Sequence, residues 1–200
     1  MNNSQAWIKA GYDVFAREGY EGVHVERIAR ILNLNKSGFY HYFHSRFIFF
    51  EHLIQHHYDR VALMVQDIEN VHTFDPDYLE VMINHQVTVM FNKQLIQSRH
   101  SGLFEEALCL VNDMTDRATV PLWASFLSMS DQPELALRYF QLIRDVVYAR
   151  ITWDNFNPEF LRGIASEAKA IIEGTVMRKH FSLNAQEIKS EFFSYISRVS

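Results

Sequence analysis

A single cysteine, Cys109, stands in 200 residues, which excludes an intrachain disulfide framework and suits a reducing cytoplasm. Four prolines and seven glycines are few for the turn-rich chain of an all-β protein, so helices are favoured. No apolar run approaches the length of a membrane span, and Met1-Asn2-Asn3-Ser4-Gln5 is not a basic start followed by an apolar stretch. Neither a membrane nor a secretory signal is expected. Catalytic signatures are also missing: there is no phosphate-cradling glycine loop and no nucleophile elbow. Cys109 lies in the apolar run Ala107-Leu108-Cys109-Leu110-Val111, where a thiol is generally inert. The chain does not read as an enzyme, and it calls for no cofactor.

Positive charge is scarce overall, with a net charge of −5, but it is unevenly placed. Residues 1–50 hold six Lys and Arg against four acids, a balance of +2, which leaves −7 for the remaining 150. A weakly basic head on an acidic body can orient the head towards a polyanion.

The segment Leu34-Asn35-Lys36-Ser37-Gly38-Phe39-Tyr40-His41-Tyr42-Phe43-His44-Ser45-Arg46 carries the clearest chemistry. Asn35 is placed to cap a helix, with Lys36 and Ser37 in a first turn whose N–H groups can meet phosphate. On a helix over 36–43, Phe39 and Phe43 share an inward face at i and i+4, while Lys36, Tyr40 and His44 form an outward row that Ser37 and His41 extend. That pattern suits a helix in the major groove of DNA. Helical spacing of Trp7, Ile8, Gly11, Val14 and Phe15 predicts a helix over about 4–18, ended by Glu18-Gly19. A second helix is predicted from about Val25 to Leu32, with Ile28, Ala29, Ile31 and Leu32 inward and Arg27 and Arg30 outward, closed by Asn33. Helix, short turn and helix then have helix-turn-helix spacing.

Taken together, Trp7-Ile8-x-Ala10-Gly11-Tyr12-x-Val14-Phe15-Ala16-x-Glu18-Gly19-Tyr20, Val25-x-x-Ile28-Ala29 and Lys36-Ser37-Gly38-Phe39-Tyr40-His41-Tyr42-Phe43-x-Ser45-Arg46 resemble the DNA-binding domain of the tetracycline-repressor family of bacterial regulators. The resemblance spans roughly the first 50 residues. It implies that Lys36, Ser37, Gly38, Tyr40 and His41 read bases or touch the backbone, that Tyr42 meets phosphate, and that Arg46 does so from the start of the fourth helix. His24 and Arg27 on the second helix complete the expected DNA-facing set. Where the family usually has Thr this chain has Val23 and His24, so His24 either caps its helix poorly or contacts phosphate itself. The set leans on His24, His41 and His44, which are mostly neutral near pH 7 as a residue type.

The rest of the chain also reads as helical, giving an all-α protein with a DNA-binding domain over 1–46 and an effector-binding and dimerisation domain over 47–200. Helices are predicted over about 46–71 and 76–98, with a shorter one from Leu103 to Met114, a segment opened by Pro121, and one from Pro133 through Trp153 that should be central. A long helix from Asn157-Pro158-Glu159 to about His180 and a final one after Asn184 complete the order.

The resemblance further implies a small-molecule cavity among the fourth to eighth helices. Candidate lining residues are Met90, Phe104, Leu108, Cys109, Trp123, Phe126, Tyr139 and Ile143, with Tyr139 or His85 to orient an apolar or flat aromatic effector. The alternative is that all of these are plain core. It also implies a homodimer through the last two helices, with Leu161, Ile164, Ala165, Ala168, Ile171, Ile172, Thr175, Ile188, Phe192, Tyr195 and Ile196 as interface, although the same stripe is compatible with packing inside one subunit. The expected partners are a double-stranded DNA operator, an unidentified effector and a second copy. Two other readings stand beside this one. One is a dimeric interaction protein with a weakened DNA head. The other is a metal site using His52 and His56 at i and i+4 with His57 adjacent, although no further ligand stands at a diagnostic distance.

Overall fold

A computed structural model describes residues 2–98 and 102–178, with side chains to 174. The described residues form helices joined by turns and contain no strand. They form two compact units, one of residues 1–71 with 84–118 and one of 72–83 with the residues from 119 onward.

The first unit begins with α1 (Asn3–Gly22), α2 (Val25–Leu32), α3 (Lys36–Phe43) and α4 (Arg46–Glu69). Their ends follow local chemistry. The Asn2 side chain accepts from Gln5 N–H at 2.9 Å while Gln5 Oε1 accepts from Asn2 N–H at 3.1 Å, a reciprocal cap that starts α1. Gly19 (φ 69°, ψ −161°) breaks the helical path in a region open only to glycine, near the stop that Glu18-Gly19 signals. Asn33 closes α2 in the left-handed conformation (φ 53°, ψ 42°), which asparagine tolerates. Asn35 Oδ1 accepts from Ser37 N–H at 3.0 Å to start α3, and Ser45 Oγ accepts from Ile48 N–H at 3.2 Å to start α4.

Aromatic packing holds these helices together. Phe39 and Phe43 are fully buried and meet the Phe49 ring of α4 at 5.0 and 4.8 Å, and Trp7 of α1 packs edge-on to Phe39 at 5.3 Å. Each buried ring contributes about 1.5–3 kcal/mol of transfer free energy, so α3 is anchored by its own inward face. Gly11 lets α4 approach α1 closely, since a Cβ there would lie 2.8 Å from Phe49 Cε1 and 3.3 Å from Leu53 Cδ2. Ile31, expected in the core, is 56% exposed; on an eight-residue helix Val25, Ile28 and Ala29 already fill the buried face.

Beyond α4 the helix expected over 76–98 is divided. A wide π-type turn over Phe74–Tyr78 leads into α5 (Leu79–Asn84), and α6 (Gln86–Gln97) starts after His85. His85 leaves the helical path (φ −100°, ψ 24°), and its Nε2 lies 2.6 Å from Asp67 Oδ2 on α4. The α6 side chain Phe91 completes the first unit by stacking on Tyr12 at 4.4 Å and meeting Phe15 at 4.3 Å.

The two stretches expected around 103–114 and after Pro121 are one helix, α7 (Gly102–Phe126), with Pro121 inside it. Burial of Thr119, Leu122, Trp123 and Ala124 carries the helix through a residue that lacks the N–H for its own turn. In the second unit Phe74 packs on Trp123 at 4.7 Å and Phe126 at 4.2 Å, and Trp123 on Phe140 of α8 (Pro133–Arg150) at 5.6 Å. The α8 helix buries Ala136, Tyr139, Phe140, Ile143 and Val146 but leaves Arg138, Asp145 and Ala149 exposed, so it has one solvent face rather than the central position expected. Asn157 caps α9 (Pro158–Arg178) by accepting from Phe160 N–H at 2.8 Å, and Arg162 pairs with Asp75, Nη2 to Oδ1 at 3.0 Å.

The first unit groups α4 and α6 with the first three helices: Phe49, Leu53, His57 and Phe91 all pack on α1 or α3 partners. Packing does not divide the chain at the expected 46/47 boundary.

Candidate nucleic-acid interface

The α3 helix has two unlike faces. Phe39 and Phe43 are buried; Lys36, Ser37, Tyr40, His41 and Tyr42 are exposed, with Tyr40 at 49% and Tyr42 at 39%. Gly38 is half-buried, and a Cβ there would meet only Tyr42 Cε2, at 4.0 Å. Nothing among the described residues therefore requires glycine at that point. The helix stops abruptly: His44 takes φ 58°, ψ −42° in a three-residue turn closed by Ser45 N–H to the Phe43 carbonyl at 2.5 Å. Its side chain is left exposed beside the outward row.

The second helix of the motif presents its N-terminus next to that of α3. His24 is the N-cap residue of α2 and makes no side-chain cap hydrogen bond, so the poor cap expected from the missing threonine is present. It is exposed, and it lies within electrostatic reach of both Glu18 and Glu26. Glu26, in the first turn of α2, has its Oε1 3.5 Å from Lys36 Nζ on α3. Its own backbone N–H, and then Lys36, hold the Glu26 carboxyl below its usual range. Glu26 was not among the residues expected at this surface, since ten positions separate it from Lys36 and no local spacing signals the pair.

Two of the expected DNA-facing cations have other partners. The Arg27 guanidinium grips Glu18 through both terminal nitrogens, tying α2 to α1 and pulling the Glu18 carboxyl below its ordinary value. Arg46 Nη2 donates to the Tyr20 carbonyl at 2.7 Å, and its guanidinium lies over the Tyr20 ring at 4.3 Å and the Phe50 ring at 5.3 Å. Long-range pairing of this kind is invisible to spacing. Of the three fixed cations expected here, Lys36 has the weakest internal partner.

The histidines of α4 each have another setting. His57 is fully buried: its Nδ1 lies 2.8 Å from Tyr12 Oη and its Nε2 2.9 Å from Asn92 Oδ1. Burial pushes its pKa down to about 3, so the ring is neutral, accepting from Tyr12 and donating to Asn92. His56 packs edge-on against Tyr12, and His52 against Phe43. Among the described residues no three metal-ligating side chains converge. The metal reading of His52, His56 and His57 has no support in this arrangement.

The expected effector lining is divided between the two units. His85, Met90, Phe104, Leu108 and Cys109 belong to the first unit, and Trp123, Phe126, Tyr139 and Ile143 to the second. Phe104 is core, against Phe15 and Phe50 at 5.6 Å each, and Cys109 is exposed. A cleft of about 750 Å³ between α1, α4 and α6 is lined by Lys9, Tyr12, Asp13, His56, Asp59 and Arg60 among others, and none of the nine expected residues borders it. In the second unit Phe126 borders a recess of about 300 Å³ with Phe74 and Leu122. The Tyr139 hydroxyl is buried without a hydrogen-bond partner among the described residues.

The interface stripe on α9 packs inward. Leu161, Ile164, Ala165, Ala168 and Ile172 are buried within the subunit and Ile171 is half-buried, so this face has little area left for a second chain. Of the two options for the stripe, packing inside one subunit is the one observed. Gly163, Ser166 and Ala170 form the exposed side. The side chain of Thr175, together with Ile188, Phe192, Tyr195, Ile196 and the final helix, lies outside the described residues.

No helix among the described residues is long and apolar enough to cross a membrane. Residues 8–53 match the family model of the bacterial regulatory proteins of the tetR family, a span that takes in α2, α3 and the start of α4. No curated protein matches the chain. With the helix-turn-helix in place and its outer face polar, the chain is a DNA-binding transcriptional regulator whose amino-terminal domain is that of the tetR family.

Proposed function

We propose that the chain is a homodimeric repressor that reads a palindromic operator with α3 and is released by a small hydrophobic effector. Residues 1–46 form the DNA-reading part and residues 47–200 the effector-binding and dimerising part, working in the cytoplasm on bacterial DNA. The observation that carries this reading is the division of α3 into a buried Phe39/Phe43 anchor and an outer face of Lys36, Ser37, Tyr40, His41 and Tyr42. Lys36, Tyr40 and His41 face base edges, Tyr42 and His24 meet phosphate, and Gly38 admits the closest approach.

The effector reading is supported by the buried, unpartnered Tyr139 hydroxyl and the cluster of Phe74, Trp123, Phe126 and Phe140 in the second unit. An apolar molecule with one hydrogen-bonding group matches that chemistry. Release follows if the effector prefers the conformation in which two heads no longer match the groove spacing. The dimer uses the exposed side of α9, where Gly163, Ser166 and Ala170 allow a partner helix to come close. A second reading, an interaction protein with a weakened DNA head, is favoured by the internal pairing of Arg27 and Arg46.

Replacing Lys36 and Tyr42 together by Ala separates the two. Loss of sequence-specific binding by tenfold or more, about the value of one good base contact with one phosphate contact, supports the repressor. Unchanged affinity at moderate salt, with the helical content intact, supports the interaction protein.

A further inference from the structure

The neighbouring N-termini of α2 and α3 place an anion and a cation side by side at the DNA face. Glu26 Oε1 and Lys36 Nζ are 3.5 Å apart, and both side chains are about three-fifths exposed. Lys36 belongs to the outward row of α3, so whatever meets that row also meets Glu26. A carboxylate there is costly for indiscriminate DNA binding, because it repels every phosphate equally. It becomes useful only if it accepts a hydrogen bond that some base pairs offer and others do not.

The major groove has such a pattern. Guanine shows two adjacent acceptors, N7 and O6, and its paired cytosine shows the N4 amino donor beside them. An ammonium fits the first pair of atoms and a carboxylate the second. An A·T pair also offers an amino donor, adenine N6, but on the purine beside N7, where G·C has its second acceptor; it therefore leaves the ammonium one purine acceptor rather than two, and puts thymine O4 and the methyl where the carboxylate would find cytosine N4.

We propose that Glu26 is a specificity-determining residue, which with Lys36 reads one G·C pair in each half-site: Lys36 Nζ donates to guanine O6 and N7, and Glu26 accepts from cytosine N4. This rests on α3 being the recognition helix. The Glu26 carboxyl stays ionised because its own backbone N–H and Lys36 both stabilise the charged form, so it acts as an acceptor only. His24 lies within electrostatic reach of Glu26, and the Glu26–Lys36 pair is more exposed than the neighbouring Glu18–Arg27 pair.

The test is selection of bound duplexes from a random pool with the full chain, repeated with Glu26→Ala and Glu26→Gln. Affinities of the wild-type site and of its single-pair variants are then measured at one salt concentration. The proposal expects a fixed G·C pair in each half-site. Glu26→Ala should bind that site more weakly yet bind the A·T-substituted site as well or better, so that discrimination falls by about tenfold or more. Glu26→Gln keeps the side-chain length and should move the preferred purine towards adenine, which an amide pairs in bidentate fashion.

If both variants select the wild-type sequence and Glu26→Ala binds all duplexes more tightly by the same factor, Glu26 is only a charge partner and the inference fails alone. If the wild-type chain selects no sequence, the reading of α3 fails with it.

Discussion

Lowering the pH from about 7.5 to about 5 should destabilise the first unit chiefly through one side chain, His57, with a smaller part from His56, whose pKa burial also lowers. Its ring is fully buried between Tyr12 and Asn92, and burial lowers its pKa from 6.5 to about 3. The native state thus keeps the ring neutral down to about pH 3, while the unfolded chain takes up a proton below about 6.5. Between those values the unfolded state binds more protons, so stability is complete above the unfolded pKa and declines as the pH falls through the window. For a native value of about 3 the loss at pH 5 is about 2 kcal/mol, or roughly 4–8 °C in the unfolding midpoint for a chain of this length. Carboxylates held low by pairing, such as Glu18 and Asp75, contribute mainly at lower pH, where their unfolded counterparts protonate. Thermal unfolding followed by circular dichroism at both pH values, for wild type and His57→Gln, isolates the effect. Glutamine can still donate and accept but cannot titrate, so its midpoint should move much less. Equal shifts in the two proteins, or a wild-type midpoint that does not move, would refute the assignment.

Gly38→Ala should raise stability by about 0.5–1 kcal/mol, because alanine is the better helix former and its Cβ meets only Tyr42 at 4.0 Å, while lowering DNA affinity; a variant that is more stable and binds equally well would remove Gly38 from the contact surface. Gly11→Ala should cost about 1–3 kcal/mol in denaturant unfolding, since Phe49 must move and it supports both Phe39 and Phe43; an unchanged midpoint would mean that α1 and α4 separate freely there.

The helix-turn-helix was legible because its punctuation is local. Asn33 and Asn35 each act within three residues of the helix end they define, and both α2 and α3 run over the residues that their spacing predicts. The buried pair Phe39 and Phe43 follows from the same short-range periodicity. What sequence reading missed depends on residues far apart in the chain. Arg27 reaches Glu18 nine positions away and Arg46 the Tyr20 carbonyl twenty-six away, so two cations expected at DNA turn back onto their own domain. The interruption between α5 and α6 depends on His85 meeting Asp67, eighteen positions back. On α9, Leu161, Ile164 and Ala168 make an apolar stripe whether the partner is the same chain or another, and only packing shows that they face inward.

The most direct measurement is the selection of sequences from random duplex DNA by the full chain. The account predicts enrichment of a palindrome whose half-sites are centred roughly 34–36 Å apart or a multiple of one helical turn, and loss of that enrichment when Lys36 and Tyr42 are replaced by Ala. No enriched sequence, or one that survives the double replacement, would contradict the placement of α3 in the major groove.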